Sequence, residues 1–122
     1  IGLEMDRTTL VHRINQRVDS MIDAGMQNEA RIMHPKAHLN ALQTVGYREW
    51  FECFDGQCSQ NDAIEKIKIH TRQFAKRQMT WFKKMENIHW ANAFDKASIE
   101  NTVLQACEKR HWQLHTPFDC VD

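Results

Sequence analysis

Ser59-Gln60-Asn61-Asp62 has the form of a capping box with Asp in place of Glu, and it predicts a long helix running to about Met85. At about 100° per residue, Ala63, Ile64, Ile67, Phe74, Trp81 and Phe82 fall on one side of that helix. Residues 66–84 also carry seven bases, Lys66, Lys68, Arg72, Lys76, Arg77, Lys83 and Lys84, and no acid. Four of them, Lys68, Arg72, Lys76 and Lys83, lie within an arc of about 80° on another side. Like charges stacked at i, i+4 repel by a few tenths of a kcal/mol per pair, and solvated faces usually intersperse both signs. A helix carrying that cost predicts an anionic partner. The bland alternative is a solvated charged face.

The average conceals this segment. The chain has 122 residues, with 16 Lys+Arg against 16 Asp+Glu and a formal net charge of +0. Residues 1–65 hold 10 acids and 6 bases, and residues 85–122 hold 6 acids and 3 bases, so the basic run is balanced from both ends. Neutrality excludes a uniformly basic nucleic-acid coat or a polybasic membrane binder. The 42% hydrophobic content, with four Trp and six Phe, excludes a disordered tail. No apolar run approaches membrane-spanning length, so no membrane partner is expected. No secretory signal precedes the first residue, and the chain opens on Ile1, so the expectation is a soluble, cytoplasmic segment whose start lies upstream.

The remaining elements follow from periodicity and punctuation. Ile1–Met5 reads as a short strand. Asp6 is placed to cap a helix to about Ala24, with Leu10, Ile14, Val18 and Met21 at helical spacing. Gly25 suits a C′ position, and a second helix follows from Met26 to about Met33. His34-Pro35 should stop it, because the residue before proline avoids helical angles. Leu39–Leu42 and Tyr47–Phe54 read as short helices around Gly46, with a turn at Asp55-Gly56. Ile88–Ala91 is a second strand candidate. Asp95 then caps a helix from Lys96 to about Arg110, with Ile99, Val103, Leu104 and Cys107 on its inner face.

Cys53 and Cys58 bracket a turn without zinc-ligand spacing. Cys107, His111, His115 and Cys120 form a loose C-x3-H-x3-H-x4-C set that fits no standard finger, so no metal is assigned. Arg13 and Arg17, one turn apart at the border of the first helix's apolar stripe, can present guanidinium forks to phosphate oxygens. Pairing with Asp6 or another carboxylate is the alternative for them. For at least one of Trp81 and Phe82, core packing is expected over base stacking, because both share the apolar side.

Several segments in fixed order resemble the tRNA dimethylallyltransferases (tRNA isopentenyltransferases). They are Asp6-x3-Leu10-x2-Arg13-Ile14-x2-Arg17-Val18-x2-Met21, Gly25-x3-Glu29, Val45-Gly46-Tyr47-Arg48-Glu49, and Thr71-Arg72-Gln73-Phe74-Ala75-Lys76-Arg77-Gln78-Met79-Thr80-Trp81-Phe82, followed by His89-Trp90. The resemblance covers roughly residues 1–95, leaving 96–122 as a C-terminal helix and tail. It implies transfer of a dimethylallyl group from its diphosphate to N6 of the adenine 3′ of the anticodon. It also implies a P-loop NTPase-like α/β core with Mg²⁺. This chain has no G-x4-G-K-[ST] motif, so it looks like the C-terminal portion of such an enzyme, inactive alone, with Mg²⁺ held elsewhere. The expected fold is mainly α, a helical tRNA-binding portion plus the C-terminal edge of that core. Its one or two short strands would be free to pair with each other or with another copy. The intact enzyme is expected to be monomeric.

Residue by residue, the resemblance places Arg17, and less directly Arg13, at the prenyl diphosphate. It assigns tRNA contacts to Gln43, Thr44, Val45, Gly46, Tyr47 and Arg48, and to the stretch Lys76, Arg77, Gln78, Thr80, Trp81 and Lys83, with Lys68 and Arg72 on the same basic face. Gln43 departs from relatives with a base there. The expected partners are therefore a tRNA anticodon stem-loop and dimethylallyl diphosphate, and no cofactor is expected on this segment itself. Two other readings stay open, a self-sufficient helical RNA-binding module and a helical protein-interaction domain.

Overall fold

The computed structural model describes residues 1–108. Its elements in order are β1 (Gly2–Glu4), α1 (Arg7–Asp23), α2 (Met26–Met33), α3 (Tyr47–Phe54), α4 (Gln60–Phe82), β2 (Trp90–Asn92) and α5 (Lys96–Glu108). Single 3-10 turns at His34–Lys36 and Asn40–Leu42 join α2 to α3. The fold is mainly helical, as the sequence leads one to expect, and it divides into two compact units.

The first unit, Arg7–Thr80, is built of α1 to α3 and most of α4. Its core gathers Val18, Met26, Ala30, Trp50, Phe51, Ala63 and Ile67, all buried. Met26 and Ala30 on α2, and Ala63 and Ile67 on α4, are each four residues apart, one turn along a single face, while α3 contributes the adjacent Trp50 and Phe51 and α1 contributes Val18. Ala30 and Ala63 are completely covered; a side chain this small lets helix backbones approach closely. Ser59 starts α4 as expected. Its hydroxyl accepts from Asp62 N–H at 3.1 Å, and Asp62 Oδ2 accepts from Ser59 N–H at 3.1 Å and from the Ser59 hydroxyl at 2.7 Å. The bonds from Ser59 hold the Asp62 carboxyl below the usual aspartate value.

The second unit contains Ile1–Asp6 and the chain from Trp81 onward. Here β1 and β2 pair with each other in parallel, in the register Gly2 to Trp90, Leu3 to Ala91 and Glu4 to Asn92. Gly2 N–H donates to His89 O and Ala93 N–H to Glu4 O, both at 2.8 Å, which extends the ladder at each end. Ala91 is buried, and α5 packs beside β2. Asp95 Oδ1 caps α5 by accepting from Ser98 N–H at 3.0 Å.

Several expectations need correction. His34 keeps helical angles (φ −54°, ψ −40°) although Pro35 follows. The chain tightens there into a 3-10 turn with the proline in its first positions, where the missing N–H leaves no bond unmade. His34 is held there from outside the helix, donating from Nε2 to Asp55 Oδ1 at 3.0 Å and lying against the Phe51 and Phe54 rings. Leu39–Leu42 forms only the 3-10 turn Asn40–Leu42. The long helix ends at Phe82, three residues early, because the bonds from Lys84 N–H to Trp81 O and Met85 N–H to Phe82 O tighten the last turn. The second strand lies at Trp90–Asn92, starting two residues later and ending one later than the pattern suggests. Neither Trp81, 61% exposed, nor Phe82, 38% exposed, is a core residue, and they meet edge to face at 5.0 Å. Leu104 is half exposed, so the inner face of α5 is Ile99, Val103 and Cys107. Of the expected helix to Arg110, the last two residues lie outside the described residues, as do His111, His115 and Cys120.

A cationic cleft as candidate functional site

The basic run of α4 is split by its neighbours. On one side, Lys68 Nζ meets Asp19 Oδ1 at 2.8 Å and Arg72 Nη1 donates to Asn15 Oδ1 at 2.8 Å. Residues four apart on α1 thus face residues four apart on α4, in reverse order, so the two helices run antiparallel. On the other side, Lys66 Nζ meets Glu52 Oε2 at 2.7 Å and His70 Nδ1 donates to Glu49 Oε1 at 2.5 Å, which sets α3 antiparallel to α4 as well. Hydrogen bonds to Glu52 and to Asp19 raise the Lys66 and Lys68 ammonium groups above the usual lysine value. Acids distant in sequence relieve much of the repulsion that the run shows when read alone.

Lys76 and Arg77 lie beyond these contacts and are exposed. Arg77 reaches over the Phe74 ring at 5.9 Å, and Phe74 is itself half exposed. Gln78 is exposed, and the exposed Thr80 donates its hydroxyl to Lys76 O at 2.9 Å. In the second unit, Trp81, Lys83 and Lys84 are exposed.

Between the antiparallel α1 and α4 lies an open cleft of about 300 Å³. One wall is Ile14, Arg17, Val18 and Met21 of α1, the other is Ile67, Thr71 and Phe74 of α4, and Thr44 and Val45 close one side. Thr71 has its hydroxyl committed to Ile67 O at 2.7 Å, which turns its methyl group outward from that bond. The lining is therefore chiefly apolar, with Arg17 the single charged side chain among the described lining residues. Arg13 is exposed one turn earlier on α1. This combination suits a ligand with a small apolar body and an anionic end.

The segment Gln43 to Arg48 is held by four separate bonds. Gln43 Nε2 donates to Ala37 O at 2.6 Å, and Arg48 N–H to Thr44 O at 3.2 Å. Gly46 N–H donates to Glu49 Oε2 at 2.7 Å, and the Tyr47 hydroxyl donates to Glu29. That last bond, with some burial, raises the Tyr47 phenol above its usual value, so it stays protonated. The Arg48 guanidinium is half exposed, 3.7 Å from Glu49 Oε1. The segment thus gives Thr44 and Val45 to the cleft and presents Gln43 and Arg48 to solvent.

Periodicity did not single out Glu49, His70, Asn15 or Asp19. The signal for the last two was present, an i, i+4 polar pair on α1 matching the i, i+4 pair Lys68 and Arg72. Burial raises the Cys53 thiol above its usual value, with Cys58 the next cause. Among the described residues, no cluster of His, Cys, Asp and Glu is placed to hold a metal ion, and no helix is long and apolar enough to cross a membrane.

Comparison with known proteins places this geometry in a wider set. Residues 1–85 match the family model described as IPP transferase. The chain is 58% identical over 105 residues to the tRNA dimethylallyltransferase of Flavobacterium psychrophilum, covering 86% of this chain and 33% of that protein. With the tRNA dimethylallyltransferase of Flavobacterium johnsoniae it shares 51% identity over 104 residues, covering 85% and 33%. Among solved structures, the tRNA isopentenylpyrophosphate transferase of Bacillus halodurans superposes with a TM-score of 0.81 at 34% identity, over 90% of this chain and 39% of that one. The corresponding enzyme of Staphylococcus epidermidis gives 0.79 at 38% identity, over 90% and 37%. The chain spans about one third of the length of the curated relatives it matches.

Proposed function

Because the chain belongs to the IPP transferase family, we propose that it forms part of a tRNA dimethylallyltransferase. The reaction is transfer of a dimethylallyl group from dimethylallyl diphosphate to N6 of the adenine 3′ of the anticodon, in the cytoplasm. The observation that supports this best is Arg17, the one charged residue among the described lining, on the wall of a chiefly apolar cleft of about 300 Å³. A five-carbon allylic tail needs apolar walls, and its diphosphate needs a fixed cation.

In the transfer, the bond between the allylic carbon and the diphosphate oxygen breaks while the adenine nitrogen forms its bond to that carbon. The electron pair of the broken bond leaves with the diphosphate, and the N6 proton passes to a base. Negative charge therefore grows on the leaving group. A guanidinium beside it interacts more strongly in the transition state than in the ground state, and that difference is what accelerates the step. Arg17 takes this role, with Arg13 one turn away as a secondary contact. By the same family relation, Mg²⁺ and the base that takes the N6 proton would be held by residues other than those described. Among the described residues, no cluster of His, Cys, Asp and Glu could hold the ion.

The adenine must leave its stack to be modified, so the protein has to hold the anticodon loop by its backbone and exposed bases. Gln43 to Arg48, Lys76, Arg77, Gln78, Thr80, Trp81 and Lys83 take that role. Lys68 and Arg72 act mainly through α1, since their charged ends are engaged by Asp19 and Asn15.

The test is to incubate the full-length protein with dimethylallyl diphosphate and an anticodon stem-loop whose target adenine is intact or replaced by guanine. Mass spectrometry should find the dimethylallyl group on the adenine-containing RNA alone. Tight RNA binding with no transfer at any magnesium concentration would instead support a binding module.

A further inference from the structure

Glu49 is completely buried, yet it is a carboxylate. A charge in that position is tolerated only when its oxygens are saturated with donors. Each oxygen has one: Gly46 N–H reaches Oε2 at 2.7 Å, and His70 Nδ1–H reaches Oε1 at 2.5 Å, with the Arg48 guanidinium 3.7 Å from Oε1. Glycine has no side chain to return the bond, so Glu49 supplies only one arm of a capping box. Its other arm goes to a different helix. Glu49 therefore links the backbone of the Gln43–Arg48 segment directly to α4.

The link falls at the place where the segment most needs one. Gly46 has φ 108° and ψ −59°, a conformation open to glycine and strained for other residues. Immediately before it stand Thr44 and Val45, which close one side of the cleft. His70, for its part, lies between Ile67 and Thr71, both cleft-lining residues, and the exposed Lys76 follows within two turns of the same helix. One buried carboxylate thus fixes the segment relative to the cleft wall and to the cations beyond it.

The geometry points to Glu49 and His70 as a positioning pair for tRNA. They touch no substrate; they hold the Gln43–Arg48 segment in its RNA-binding conformation before RNA arrives, and so remove an ordering cost from binding. This inference rests on the transferase reading given above.

The experiment uses the full-length protein and its H70A and H70N variants. Asparagine can reproduce the Nδ1–H donor, and alanine cannot. H70A should weaken binding of an anticodon stem-loop about tenfold, and the Gly46 amide should exchange with solvent at least about tenfold faster. The core amides of Trp50 and Ile67 should keep their protection, and H70N should restore both properties. If H70A folds poorly, E49Q provides the same test, with a smaller loss in the same direction. Wild-type affinity and Gly46 exchange in H70A would overturn the inference. So would a loss of protection that spreads to Trp50 and Ile67 and is not rescued by H70N, since that is plain instability. Wild-type protein that binds no stem-loop would overturn the transferase reading itself, and this inference with it.

Discussion

Gly46 and Gly25 both have positive φ, 108° and 97°, but they differ in their surroundings. A Cβ at Gly25 would meet nothing within 4 Å, whereas one at Gly46 would collide with Met26 Cε, at the end of a buried side chain. Gly25→Ala should therefore cost about 1 kcal/mol of backbone strain, and Gly46→Ala about 2–3 kcal/mol, since Met26 must also move. Denaturant unfolding of both variants checks the ranking. Gly46 was legible in the sequence through its match to a family motif. The reason only glycine fits was not, because Met26 is brought there by the turn at Gly25 and the packing of α2. Glu49 shows the same limit more sharply. A glutamate in the first turn of a short helix reads as exposed and favourable to the helix dipole. Its burial depends on His70, 21 residues away.

At the level of elements, α4 has two halves with different tasks. Its first half is tied to α1 and α3 by Lys66, Lys68, His70 and Arg72. Beyond Phe74 its side chains are mostly exposed. Lys76→Glu should accordingly weaken stem-loop binding and reduce the slope of log affinity against log salt by about one. Lys68→Glu should lower stability through repulsion of Asp19 and Glu65 while changing that slope less, since its charge is already partnered. Salt titrations of the two variants separate these outcomes, and equal slopes would remove Lys76 from the RNA surface. The start of α4 gives a pH prediction. Asp62 titrates below its unfolded value, so its contribution is complete above about pH 4 and is lost as pH falls through the folded value. Asp62→Asn should remove that part of the acid sensitivity, as read by helix content against pH. Helix boundaries were well legible where caps and spacing agreed, as for α2, α3 and the start of α4. They were less so where tertiary contacts intervene, as at His34, whose partners Phe51, Phe54 and Asp55 hold it against its proline rule.

Across the whole chain, the zero net charge is a poor guide to what the protein binds. Acids on α3 and α1 pair with Lys66 and Lys68, Arg72 is engaged by the uncharged Asn15, and the cations beyond Phe74 remain exposed, so the useful quantity is where charge is left over. The two short strands were legible in the sequence, but pairing with each other stood beside pairing with another copy, and the parallel register is settled only by the packing. The cleft was not legible, since its lining comes from three separate segments that only the antiparallel packing of α1 and α4 brings together. Arg17 on the wall of that cleft carries the proposed chemistry. Its most direct test is Arg17→Ala in the full-length protein, measuring turnover with dimethylallyl diphosphate beside the affinity for tRNA. Turnover should fall about 100- to 1,000-fold while tRNA affinity stays within about twofold of wild type. Equal losses in both, or unchanged turnover, would contradict a role for Arg17 at the diphosphate.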